Sequence, residues 1–181
     1  KTRRQGASSL LDRCNANKNC PKIIETFGSA EIWGLRGSPM LVGTDAKADI
    51  ALPDNVRRYY FPGVTHGGSW KGGFSATGEA SAPGCMLPGN PNPSRESTRV
   101  AFGALVDWVK AGKAPPESRY PSLSNRELVA PNAKAMGWPG IAGIPNPDAS
   151  LYAFHDYDFG LGFDAKSTSG VTTRQPPKLK R

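Results

Sequence analysis

The chain holds two histidines, and the first of them, His66, stands in the stretch YYFPGVTHGG at 59–68, five residues past an aromatic extended run. An imidazole that titrates near neutrality can take a proton from a hydroxyl and return it to a leaving group. To do so it needs a carboxylate that holds one ring nitrogen and fixes the tautomer. Glu31 is the candidate, four residues past the run IIETF at 23–27; Asp45 and Asp49 are rival acids deeper in the loop that follows. The competing reading makes His66 a turn histidine that caps a backbone group, and Glu31 an ion-pair partner of Arg36 or Arg57. Trp33 and Trp70 flank the pair and are candidates for lining an acyl or alcohol pocket, against a plain packing role.

Two strands are required to place those side chains. Lys22–Phe27 is a β-branched run closed by Gly28, and Val56–Phe61 is a second one closed by Pro62 and Gly63. Loops leaving the carboxyl ends of neighbouring parallel strands bring such groups together. Gln5–Arg13 reads as a short helix, and Gly37–Asp49 as loop or a short helical turn. From 63 to 94 the chain is rich in Gly, Pro, Ser and Asn, as functional loops often are. The segment STRVAFGALVDWVKAGKAPP that begins at Ser97 predicts a helix whose only polar stripe is Arg99, Gly103, Asp107 and Lys110. That pattern predicts a largely buried helix. Gly112 is placed to end it in a left-handed conformation and Pro115-Pro116 to prevent continuation. Beyond Tyr120, Pro, Gly and Asn dominate, so 1–130 reads as the main domain and 131–181 as an extension packed on it.

Other chemistry is disfavoured by what surrounds the candidates. The net charge of +8 comes mostly from six basic residues at the two ends, leaving +2 elsewhere, which describes solvated tails better than a nucleic-acid footprint. No run of eighteen apolar residues predicts a membrane span. Cys14 and Cys20 bracket a polar loop short enough for a local disulfide in an oxidising compartment, and Cys85 is left over. This points to a periplasmic or secreted protein. His155, Asp156 and Asp158 lack an established metal-ligand pattern, so no metal and no organic cofactor is expected.

The segments IIETFGSAEIWG, LPDNVRRYYFPGVTHGG, NPNP and WVKAGKAPPESRYPSL together resemble the C-terminal part of bacterial α/β-hydrolase-domain proteins. In that family an S-x-E-[YW]-W-like segment carries the triad acid and an R-x-Y-x-x-x-G-x-x-H segment the triad histidine. The resemblance implies an α/β fold with late parallel strands and a buried final helix. It also implies serine-hydrolase chemistry on a carboxylic ester or related acyl bond, with Glu31 as acid and His66 as base. Ile32 stands where the family pattern has an aromatic.

No G-x-S-x-G nucleophile elbow occurs. Ser75, in GFSATG at 73–78, follows His66 and has its second glycine one position late; Ser29 and Ser38 lack an elbow altogether. Reading HGGSW as an oxyanion loop would require a later serine elbow, and none follows. The nucleophile is therefore expected in a segment preceding Lys1, which makes the N-terminal part of the same hydrolase this chain's partner and leaves the chain inactive alone. The alternative is a non-catalytic binding or assembly module that keeps the half-fold.

Overall fold

The computed structural model describes residues 11–43, 46–66, 92–146, 148, 157–161, 163 and 173–179. By packing, the chain divides into two units: Lys22–Tyr152, and Lys1–Pro21 together with Ala153–Arg181.

In the larger unit, β1 (Ile23–Gly28) and β2 (Val56–Phe61) pair in parallel, in the register Ile23↔Val56 through Gly28↔Phe61. Both runs are rich in β-branched and aromatic residues, which suit a pleated, half-buried surface. Side chains alternate between the two faces. Phe27 and Tyr60 share one face as register partners, with ring centroids 5.3 Å apart. Buried Phe27, Leu41 and Val42 form the core there, and Ile32, Tyr60, Tyr120, Leu123 and Leu128 pack on it. Glu25 and Arg58 lie one step back along the strands and pair at 2.6 Å. Glu25 is thus structural: it neutralises a guanidinium that also donates to the Met40 carbonyl.

Between the strands run two short helices, α1 (Ser29–Trp33) and α2 (Pro39–Val42). The second edge of β2 is taken by the PPESRYP segment. The Arg119 carbonyl accepts the Tyr60 N–H at 2.8 Å, the Arg119 N–H donates to the Arg58 carbonyl at 2.9 Å, and Ser118 Oγ accepts the Arg58 N–H at 3.0 Å. β1 has β2 as its only strand neighbour among the described residues.

α3 (Arg95–Ala111) packs on β1, and Gly112 closes it at φ +68°, the left-handed conformation expected there. The expectation of a largely buried helix is corrected: Trp108 alone is buried, while Phe102 is 66% and Val109 64% exposed. The reason is geometric. A two-stranded sheet covers one stripe of a helix and leaves the apolar residues on the far side exposed. Trp108 is held beneath Lys22 Nζ and Arg57 Cζ, 4.7 and 5.1 Å from its ring centroid.

In the second unit, a short helix (Asp12–Ala16) precedes the loop that Cys14 and Cys20 close by a disulfide, with Cα atoms 4.6 Å apart. The helix expected at 5–13 is observed later, running into the Asn-rich loop; residues 5–10 lie outside the described ones. β3 (Tyr157–Asp158) and β4 (Lys178–Leu179) pair antiparallel in the same unit. No helix among the described residues is long and apolar enough to cross a membrane.

Candidate active site

Because Gly28 and Phe61 are register partners, the helix carrying Glu31 and the loop carrying His66 leave β1 and β2 side by side. Gly28 caps α1, and Glu31 occupies the third helical position. From there its carboxylate reaches back: Oε2 accepts the Gly28 N–H at 2.7 Å, one half of a capping box. The other oxygen, Oε1, lies 2.7 Å from His66 Nδ1. An ionised carboxylate only accepts, so in the neutral imidazole the proton sits on Nδ1 and the lone pair on Nε2. The two groups differ in exposure, 24% for the Glu31 side chain and 74% for that of His66.

Burial alone would push the Glu31 carboxyl up. The hydrogen bonds from His66 and from the Gly28 N–H outweigh it and hold the group below the ordinary glutamate value of 4.5. Glu31 is therefore an anion through the whole neutral range.

The loop carrying His66 is fastened to α1 at several points. Phe61–Val64 is a turn in which the Val64 N–H meets the Phe61 carbonyl at 3.4 Å, with Pro62 at its second position and Gly63 at φ +74° at its third, the signature of a type II turn. The Val64 side chain is buried, and its carbonyl accepts the Ala30 N–H at 3.3 Å. A Cβ on Gly28 would stand 2.7 Å from that same carbonyl oxygen, so only glycine permits the approach. Ser29 Oγ accepts the Gly63 N–H at 2.8 Å and lies 2.8 Å from Tyr60 Oη, while Asn92 Nδ2 donates to the Pro62 carbonyl at 3.2 Å.

The structure thus brings Glu31 and His66 together and assigns the neighbours other duties. Asp49, the rival acid, accepts the Leu123 and Ser124 N–H groups at 2.7 and 3.0 Å, tying the 121–128 turn to the loop before β2. Those two bonds hold its pKa low. Arg57 lies at Trp108 and, at 4.0 Å, near Glu117. The Ser29 hydroxyl is committed to Gly63 and Tyr60. Trp33 ends α1 and is exposed; Ile32 packs on the core, so the departure from an aromatic there is a matter of packing. Trp70, Asp45, Ser75, Cys85, His155 and Asp156 lie outside the described residues. Asp158 is paired with Arg174 and accepts the Gly160 N–H at 2.9 Å. Sequence reasoning did not anticipate Ser29, Tyr60 and Asn92 as fasteners; the dipeptide Pro62-Gly63 was the one local sign of a turn that needed fixing.

Residues 2–137 match the model of the family described as alpha/beta hydrolase domain, and the chain belongs to that family. The parallel pairing of β1 and β2 with intervening helices accords with an α/β hydrolase class. No curated protein and no solved structure matches the chain.

Proposed function

We propose that this chain supplies the acid and the base of a serine hydrolase acting on a carboxylic ester or a related acyl bond. The observation that carries the reading is the 2.7 Å contact between Glu31 Oε1 and His66 Nδ1, formed by the two loops at the carboxyl ends of adjacent parallel strands. With its proton on Nδ1, His66 presents Nε2 as general base to a serine hydroxyl. The serine oxygen attacks the acyl carbon, and the proton passes through Nε2 to the departing alcohol. Water then repeats the exchange and frees the acid. Glu31, held ionised by His66 and by Gly28, stabilises the imidazolium that forms in each half-reaction.

The nucleophile comes, in this proposal, from a segment of the same polypeptide preceding Lys1, and the chain is the C-terminal part of the fold. The Cys14–Cys20 disulfide favours an oxidising compartment, periplasmic or extracellular. A second reading, a binding or assembly module that retains the fold without catalysis, draws on the exposed apolar residues Phe102 and Val109 of α3.

Turnover of a p-nitrophenyl ester by the protein encoded by the whole reading frame tests the proposal. His66→Ala should lower kcat by about 10²–10⁴-fold, the usual share of a general base. A frame with no esterase or acyl-hydrolase turnover, or one whose rate ignores the substitution, favours the module.

A further inference from the structure

The distance between Glu31 and His66 depends on a contact that neither residue makes. His66 is largely exposed, and the bond to Glu31 is the contact its ring makes within the described site. One bond does not hold an exposed ring in one place, because an exposed polar contact is offset by side-chain entropy and weakened by water. What fixes the ring is the backbone it hangs from, and that backbone is anchored to α1 at Val64, whose carbonyl accepts the Ala30 N–H at 3.3 Å, and at Gly63. The Gly63 N–H donates to Ser29 Oγ at 2.8 Å, and Ser29 Oγ and Tyr60 Oη share a second hydrogen bond at 2.8 Å. Ser29 opens the helix that carries Glu31, and Tyr60 stands on the strand that leads into the loop of His66. The two hydroxyls therefore join the acid's element to the base's element. The join is stiff at its root, since the Tyr60 ring packs on buried Phe27.

We propose that Ser29 and Tyr60 are a positioning pair: through Gly63 they set the Pro62–Val64 turn so that His66 Nδ1 meets the Glu31 carboxylate. Their catalytic consequence rests on the function proposed above; their structural consequence does not. Neither residue touches the reacting atoms. Tyr59, the adjacent tyrosine, makes the natural control, because its hydroxyl donates to the Pro116 carbonyl at 2.7 Å and has no part in the join.

The experiment is ¹⁵N-histidine NMR on the protein encoded by the whole reading frame, with His66→Gln used to assign the His66 ring. In the parent chain His66 should give a downfield Nδ1–H signal protected from solvent by the carboxylate. Tyr60→Phe removes one oxygen, and Ser29→Ala removes the acceptor of Gly63. Each should broaden that signal into solvent exchange while the backbone amides of β1 and β2 keep their positions. Tyr59→Phe should leave it sharp. In the full enzyme, Tyr60→Phe should lower kcat about 10- to 100-fold with KM little changed, the signature of a displaced catalytic group. A His66 ring proton equally protected in folded Tyr60→Phe overturns the proposal. Should Ser29→Ala fail to fold, Tyr60→Phe alone decides. Loss of the ring signal in Tyr60→Phe, together with a full-length protein that hydrolyses no ester, would leave the pair standing and end the hydrolase reading instead.

Discussion

Glu31 and His66 meet at 2.7 Å across two loops because Gly28 and Phe61, the last residues of β1 and β2, are register partners. The carboxylate is held on one oxygen by the backbone of its own helix cap and on the other by the imidazole. The contact is thus a product of strand pairing and helix capping together, and each can be tested apart from catalysis.

The pH dependence of the acid follows from its environment. Glu31 titrates below 4.5 when folded, so the folded chain binds fewer protons than the unfolded one as pH falls through that region. Its contribution to stability is fully present above about pH 4.5 and is lost as pH falls through the lowered folded value. Urea unfolding of the parent and Glu31→Gln should differ by about 1.5–3 kcal/mol at pH 6–7, the usual worth of a hydrogen bond to a charged group. That gap should narrow below pH 4.5. A gap unchanged down to pH 3 would contradict the assignment of the shift to the folded pair.

Two glycines hold the loops close for different reasons. At Gly28 a methyl group would stand 2.7 Å from the Val64 carbonyl oxygen, so Gly28→Ala should cost about 1–3 kcal/mol by overpacking. At Gly63 the strain is in the backbone, at φ +74°, and Gly63→Ala should cost about 1–2 kcal/mol. Denaturant midpoints measure both. The ring-proton signal of His66 should suffer in each, since both glycines lie at the root of its loop.

Asp49 acts as a clamp. Asp49→Ala should speed hydrogen exchange at the Leu123 and Ser124 amides, which it accepts at 2.7 and 3.0 Å, and leave the Tyr60 amide protected by Arg119. Equal protection of all three in the variant would mean that the 121–128 turn holds itself.

The two sides of α3 should respond oppositely to truncation. Trp108→Ala should cost about 3–5 kcal/mol, as for other buried tryptophans, and release Lys22 and Arg57. Phe102→Ser and Val109→Ser, on the exposed side, should each stay within about 0.5 kcal/mol and raise solubility. Thermal unfolding and a precipitation assay separate the two sets.

Much of the site was legible because strand ends are written locally. IIETF stops at Gly28 and VRRYYF at Pro62-Gly63, so residues four and five positions on are necessarily at the same rim if the strands pair in parallel. The fasteners were illegible for the opposite reason. Ser29 meets Tyr60 and Gly63, and Asp49 meets Leu123, only once register and loop path are known, and no short window contains both partners. α3 misled because a helix whose polar residues over 99–110 form one narrow stripe reads as buried on its other sides, whereas burial depends on how many neighbours surround it. Here one side faces β1 and Trp108 fills it.

The central claim is that His66, oriented by Glu31, activates a serine. The most direct measurement is labelling of the whole reading-frame product by a fluorophosphonate, which reacts with activated serine hydroxyls, in parent, His66→Ala and Glu31→Gln proteins. Strong labelling of the parent, loss of about 10²-fold or more of the labelling rate in His66→Ala and a smaller loss in Glu31→Gln is the predicted result. A parent that never labels, or a His66→Ala protein that labels at the parent's rate, would contradict it.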